Sequence, residues 1–181
     1  MRYYPIFLDV CGRRVAVIGG GRVAERKVRK LLRAGARVRV ISPELTPGLE
    51  RLRLQKKIQV ARRRYRQGDI RAGARGAAPL LVFAATDDPA AQRAARQDAS
   101  AAGALLNRAD DPAGCDFIVP ASFTRGDLHL AISTSGTNPG LARFLRQQLG
   151  AGLEKIKRQR AKSKNGPPFH RPASSELLLS F

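Results

Sequence analysis

Val15-Ala16-Val17-Ile18-Gly19-Gly20-Gly21-Arg22-Val23-Ala24-Glu25-Arg26-Lys27 is the stretch that decides the fold. Its apolar opening, Val15 to Ile18, has the character of a buried strand, and three glycines follow at once. A helical pattern then begins, with Val28, Leu31 and Leu32 on one face, and Gly35 ends it. Val38-Arg39-Val40-Ile41 reads as a second strand, so residues 14 to 42 compose one βαβ unit. The glycines fit G-x-G-x-x-A between strand and helix, the arrangement of a dinucleotide-binding fingerprint. Gly19 serves the tight turn, Gly21 admits a pyrophosphate close to the backbone, and Ala24 is small enough for helix to pack on strand. Phosphates would lie on the unsatisfied N–H groups of the helix N-terminus, where the dipole favours negative charge.

Working outward, Ser42-Pro43-Glu44 stands where such a fold meets the adenosine ribose. An acidic residue at the strand end would bind the ribose hydroxyls; here Ser42 occupies that place and Glu44 follows two residues later. No arginine follows directly to take a 2′-phosphate, which favours NAD over NADP. A short basic helix is expected within 45–56, a strand over 58–61 and a turn at Gln67-Gly68-Asp69. Leu80-Leu81-Val82-Phe83-Ala84-Ala85 is a continuous apolar run, as a central parallel strand requires. Thr86-Asp87-Asp88-Pro89 opens an alanine-rich helix that ends at Gly103. Thr86 and Asp87 either touch the dinucleotide or cap that helix, and capping alone would account for them. A further strand, Ala104 to Asn107, leads into Arg108-Ala109-Asp110-Asp111-Pro112.

The pattern then changes. Residues 117–123 and 128–133 read as the two arms of a hairpin turning at Thr124-Arg125-Gly126-Asp127. Asn138-Pro139 starts a helix with Leu141, Phe144, Leu145 and Leu149 in one stripe. A lone hairpin is marginal in water, so a second copy of itself is a natural partner. At the other end, residues 4–10 suit a short strand or hairpin arm. The expected organisation is an α/β Rossmann-type parallel sheet domain over 1–112, then a β-hairpin and helix dimerisation domain over 113–150. A basic, disordered tail is expected over 151–181.

Lysine and arginine number 34 against 14 acidic residues, a net charge of +20 that invites a polyanionic partner. The cations are spread over the whole chain, which equally suits solvated faces. No zinc finger or aromatic RNA-binding pattern is present, so nucleic acid is not the expected partner. No apolar run approaches the roughly 20 residues of a membrane span. Cys11 and Cys115 lack metal-ligand spacing, His129 and His170 form no cluster with them, and no metal is expected. A cytoplasmic protein is the expectation. No Tyr-x-x-x-Lys pair or P-loop is found.

Asp110 is the candidate catalytic carboxylate, just past a parallel strand where a nicotinamide should reach. A dehydrogenase acting on a carbon skeleton needs a base for the proton while hydride leaves for the cofactor. Spacing alone favours the plainer reading, in which Asp110 or Asp111 does no more than start the turn before Pro112.

Taken together, these blocks resemble the precorrin-2 dehydrogenase family, the N-terminal domain of siroheme synthases and its stand-alone forms. The likeness rests on YPIFLDVCGRRVAVIGGGRVAERKVRKLLRAGARVRVISPEL, FAATDD, LLNRADDPAGCDFIVPASF and LHLAISTSGTNPGLARFLRQQL, over about residues 4–150. The resemblance implies NAD-dependent oxidation of precorrin-2 to sirohydrochlorin by an intertwined homodimer. It places the catalytic aspartate of the N-x-x-D block on Asp110, with Asn107 and Arg108 of the same block expected to bind the substrate. By the same likeness NAD would meet Gly19, Gly21, Arg22, Val23, Pro43 and Glu44, alongside Ser42, Thr86 and Asp87. Thr134 falls where some members have a substrate-proximal serine. Precorrin-2 is an octacarboxylate, and Arg108, Arg125 and Arg143 are arginines suited to bidentate carboxylate bonds. Some stand-alone members also insert iron; here the C-terminal helical region is short, which leaves that activity open. A regulatory NAD-binding module without chemistry is the competing reading.

Overall fold

The structure, a computed structural model, describes residues 3–70, 77–109, 111 and 114–162. The chain divides into two compact units, Met1–Val119 and Pro120–Phe181, with the division falling after residue 119 rather than after 112.

The first unit is built on a five-stranded parallel sheet: β1 (Arg14–Ile18), β2 (Arg37–Ile41), β3 (Gln59–Ala61), β4 (Leu81–Ala84) and β5 (Leu105–Arg108). Its strand order is β3-β2-β1-β4-β5, so β1 is central and the winding reverses between β1 and β4. Val17 of β1 aligns with Val40 on one side and Phe83 on the other. Alternation along β1 sends Val15 and Val17 into one core and Ala16 and Ile18 into another. The first core also holds Val28 and Leu31 of α1 (Arg22–Arg33) and Leu49 and Leu52 of α2 (Pro47–Leu54). The second holds Ala91, Ala95 and Ala99 of α3 (Pro89–Ala101). Both faces are therefore covered, which explains why β4 is buried along its whole length. Alanines on α3 let that helix lie close to the sheet.

Each helix of this unit starts at the carboxyl end of a strand, but the caps differ. Thr46 Oγ1 accepts from Leu49 N at 3.2 Å to cap α2, and Asp88 Oδ1 accepts from Ala90 N at 2.9 Å to cap α3. At α1 the cap is Gly21, with no side-chain hydrogen bond.

Two expected elements differ from what is seen. Residues 4–10 join no strand pairing among the described residues; Tyr4, Ile6 and Phe7 are exposed and only Val10 enters the core. Pro5 offers no N–H to a ladder, and Arg13 N donates to Val10 O in a turn that leads the chain directly into β1. The hairpin arm expected from residue 117 begins later, as β6 (Ala121–Arg125), because Phe117 belongs to the sheet unit: its ring meets Phe83 edge-on at 5.5 Å.

The second unit pairs β6 antiparallel with β7 (Leu128–Ile132), Phe123 opposite Leu130. Gly126, at φ +57, makes the two-residue turn with Asp127. Helix α4 (Pro139–Lys162) packs on both strands and starts where Asn138 Oδ1 accepts from Leu141 N at 2.9 Å. Its last turns run past residue 151, into the stretch expected to be disordered.

Candidate functional site

The glycine loop is shaped by close backbone approach at two positions and by open space at the third. Gly19 adopts φ +113, and a Cβ there would run into the Ala85 carbonyl of the chain leaving β4. A Cβ on Gly20 would meet the Glu44 carbonyl, and Gly20 O accepts from Thr46 N at 3.0 Å. Beside Gly21 a Cβ would find nothing within 4 Å. The loop is thus clamped between the ends of β2 and β4, while Gly21 and the uncapped start of α1 face open space. Val23 is exposed there, an apolar side chain at the edge of that space. This is the cradle that a pyrophosphate requires.

Glu25 fastens the cradle. Thr46 Oγ1 donates to Glu25 Oε2 at 2.5 Å and Arg29 Nε donates to Oε1 at 2.8 Å. The Thr46 hydrogen bond, then that of Arg29, holds the Glu25 carboxyl below its ordinary range. Gly48 leaves room for this carboxylate, which a Cβ at 48 would strike.

At the winding reversal a cavity of about 410 Å³ opens, lined by Gly19, Ser42, Pro43 and Thr86 among the expected cofactor residues. Arg64, Tyr65 and Asp88 line it too. An arginine therefore stands at this cavity although none follows Ser42 in sequence; it arrives on the loop after β3. Ser42 is buried and its hydroxyl donates to Glu44 O at 2.7 Å, so the side chain shapes the loop. Glu44 is exposed. Thr86 Oγ1 accepts from Asp88 N at 3.3 Å, while Asp87 is exposed and neither caps α3 nor lines the cavity.

Beyond the carboxyl end of β5 the chain turns back on itself. Asn107, 7% exposed, donates from Nδ2 to Phe117 O at 3.0 Å. Its Oδ1 accepts from Lys27 Nζ of α1 at 2.8 Å. The Lys27 ammonium also lies 4.8 Å from the centroid of the Phe83 ring. Burial, then the charge of Arg26, lowers the Lys27 pKa to about 8. Arg108 Nε donates to Gln92 Oε1 at 2.9 Å and Nη1 pairs with Asp111 Oδ2 at 2.8 Å. Asp111 Oδ1 accepts from Gly114 N at 3.1 Å, and the buried Cys115 thiol accepts from Arg108 N at 3.1 Å. Asp111 thus ties Arg108 to Gly114. Asp110, the candidate base, lies outside the described residues.

Thr134 is in the second unit, where its carbonyl accepts from Thr137 Oγ1 at 2.6 Å and its Oγ1 from Asn138 N at 3.1 Å. Arg125 and Arg143 also belong to that unit. Among the described residues no group of His, Cys, Asp and Glu is arranged to hold a metal ion. No helix among them is long and apolar enough to cross a membrane.

A doubly wound parallel sheet with a glycine-lined helix start at its winding reversal defines a dinucleotide-binding Rossmann protein. Residues 6–121 match the family described as putative NAD(P)-binding, and the chain belongs to that family. It is 40% identical over 149 residues to a siroheme synthase of Nitrosococcus oceani, covering 82% of this chain and 31% of that protein. A siroheme synthase 1 of Serratia proteamaculans is 42% identical over 153 residues, covering 84% of this chain and 31% of the relative. The chain thus spans about a third of the length of these relatives. Among solved structures, SirC, a precorrin-2 dehydrogenase, superposes with a TM-score of 0.71 at 28% identity, covering 83% of this chain and 71% of that one.

Proposed function

We propose that the protein is an NAD-dependent dehydrogenase that oxidises precorrin-2 to sirohydrochlorin in the cytoplasm, working as a homodimer. The observation that carries this reading is a juxtaposition in the sheet. The glycine cradle after β1 and the Asn107 turn after β5 flank β4 at the same carboxyl edge. A cofactor laid across that edge from Gly21 would bring its reactive end toward the N-x-x-D segment. The similarity to siroheme synthases and to SirC supports the substrate.

NAD, when bound, supplies the hydride acceptor. The chain's part is to orient and to move a proton. The α1 N-terminus and Gly21 would hold the pyrophosphate, and the cavity lined by Pro43, Arg64 and Thr86 would receive the adenosine end. Asp110 takes the proton lost from the carbon skeleton as hydride departs, so that precorrin-2 loses one hydride and one proton for each double bond gained. Exposed Leu141, Phe144, Leu145 and Leu149 in the second unit support the homodimer.

An anaerobic assay of NADH formation with precorrin-2 tests the reading. Asp110→Ala should keep NAD affinity and lose about 10²–10⁴-fold in rate, the usual worth of a positioned base. Asp111→Ala should keep most activity, since its carboxylate braces Arg108 and Gly114. Absence of NADH formation by the parent protein, or an essential Asp111 with a dispensable Asp110, would overturn the assignment.

A further inference from the structure

Lys27 is a cation placed where a helix facing a sheet normally carries an apolar residue. Its ammonium reaches Asn107 Oδ1 and the face of Phe83, and burial depresses its pKa.

We propose that Lys27 is a positioning residue for the dehydrogenation assigned above: it fixes one orientation of the Asn107 amide, and through it the place of Phe117 beside the end of β5. The inference rests on that assignment for its catalytic meaning, but the clamp itself can be read without substrate.

Donor and acceptor chemistry carries the argument. A lysine ammonium has three donors and no acceptor, whereas the two ends of an asparagine amide differ. With Oδ1 against Lys27 Nζ at 2.8 Å, Nδ2 is left to reach Phe117 O at 3.0 Å. The flipped amide would set Nδ2 against the ammonium and Oδ1 against a carbonyl oxygen, which is repulsive at both ends. The charge on Lys27 therefore selects the orientation that draws Phe117 back over β5. Around this contact, Asp116 Oδ2 accepts from Leu106 N at 2.7 Å, and Asp116 N donates to Leu106 O at 2.9 Å. These two bonds and that of Asn107 together hold residues 115–117 beside β5.

The selection is pH-dependent. The groups facing Lys27 among the described residues are Arg26 and Lys30 on its own helix, the Phe83 ring from β4, the Asn107 amide from β5 and the Cys115 thiol. Burial and the two cations lower the pKa to about 8, against the opposing influence of Cys115. Above that pH a neutral amine has a lone pair and can face either end of the amide. The flip is then no longer penalised on the Lys27 side, only Phe117 O still selects the orientation, and the hold on Phe117 weakens.

The test compares the full chain with Lys27→Met and Lys27→Gln, by NAD affinity, steady-state rate and amide hydrogen exchange without substrate. In Lys27→Met, NAD affinity should stay within about threefold while kcat falls about 10–100-fold, as a displaced catalytic segment would produce. Exchange at the Arg108, Gly114 and Asp116 amides should speed up in this variant. The melting temperature should hold or rise, because the cost of burying a cation has gone. The parent should lose kcat as pH rises through about 8, a limb that Lys27→Gln should lack. Unchanged kcat and exchange in Lys27→Met would overturn the proposal. So would a lowered melting temperature with equal loss of NAD affinity, which would make Lys27 a support of the fold. If the parent does not oxidise precorrin-2, the assignment above fails, and the exchange comparison still decides whether Lys27 holds the turn.

Discussion

Leu49 and Phe144 are both large apolar residues on helices, yet Leu49 is fully buried while Phe144 is 54% exposed. The contrast extends to the units that hold them. In the sheet unit, two cores on opposite faces of one sheet take up almost every periodic apolar side chain. In the hairpin unit, the helix stripe Leu141, Phe144, Leu145 and Leu149 stays open to solvent although α4 packs on β6 and β7. A two-stranded sheet has too little area to cover such a helix. The first unit covers its own apolar side chains and leaves open space beside Gly21.

The largest effect that sharpens this contrast is Gly21→Asp. With nothing within 4 Å of a Cβ at this position, the fold should survive, while a carboxylate at the phosphate cradle should abolish NAD binding in calorimetry. Retained binding would move the phosphates elsewhere. NAD should bind more tightly than NADP in the parent; since Arg64 lines the cavity, Arg64→Ala is the variant that shows how much 2′-phosphate is tolerated.

Next in size, Leu49→Ala should cost about 2–5 kcal/mol in denaturant unfolding, as deletion of a buried leucine does. Gly126→Ala should cost about 1–2 kcal/mol, because φ +57 is left-handed although a Cβ would meet open space. Phe144→Ala should change the stability of a monomer by no more than about 0.5 kcal/mol and yet shift the solution mass from dimer toward monomer. A large stability loss with unchanged mass would mean that Phe144 is covered within its own chain.

The smallest effect concerns acid. The Glu25 carboxyl is held below its ordinary pKa of 4.5 by Thr46 and Arg29, so its contribution is complete above that value and is lost as pH falls through the lower folded value. Glu25→Gln should therefore lower stability slightly at neutral pH and flatten the acid limb of the stability curve, so that variant and parent converge in acid. An unchanged limb would show that the Thr46 contact does no electrostatic work.

What could be read in the sequence follows from the same contrast. The βαβ unit was legible because period, glycines and caps agree locally: Val17, Gly19 and Val28 each sit where their pattern required. The strand expected over 4–10 was not, since Ile6, Phe7 and Leu8 are apolar without alternation and nothing local says whether a sheet edge awaits them. At the site, Gly19, Ser42, Pro43 and Thr86, four of the residues expected to meet the cofactor, line one cavity. Arg64 was missed because it comes from a loop two strands away, and Lys27 because a helical lysine normally reads as solvated. Gly20, an x of the fingerprint, proved as enclosed as Gly19; only the tertiary approach of Glu44 reveals it. Asp87 was an acidic residue at a helix start, but the cap is Asp88, one residue on.

The central position of β1 has a consequence for how the chain is made. Its partner on one side, β2, follows within the same βαβ unit, but its partner on the other, β4, begins only at Leu81. During synthesis, therefore, one edge of β1 presents unpaired N–H and C=O groups beside Val15, Val17 and Ile18 until β4 emerges. Parallel pairings across such sequence separations close slowly, and their open intermediates are prone to associate with one another. A chain stopped after β3 should aggregate, whereas one carried through β5 should fold, so the passage from residue 61 to residue 84 is the vulnerable interval in its birth.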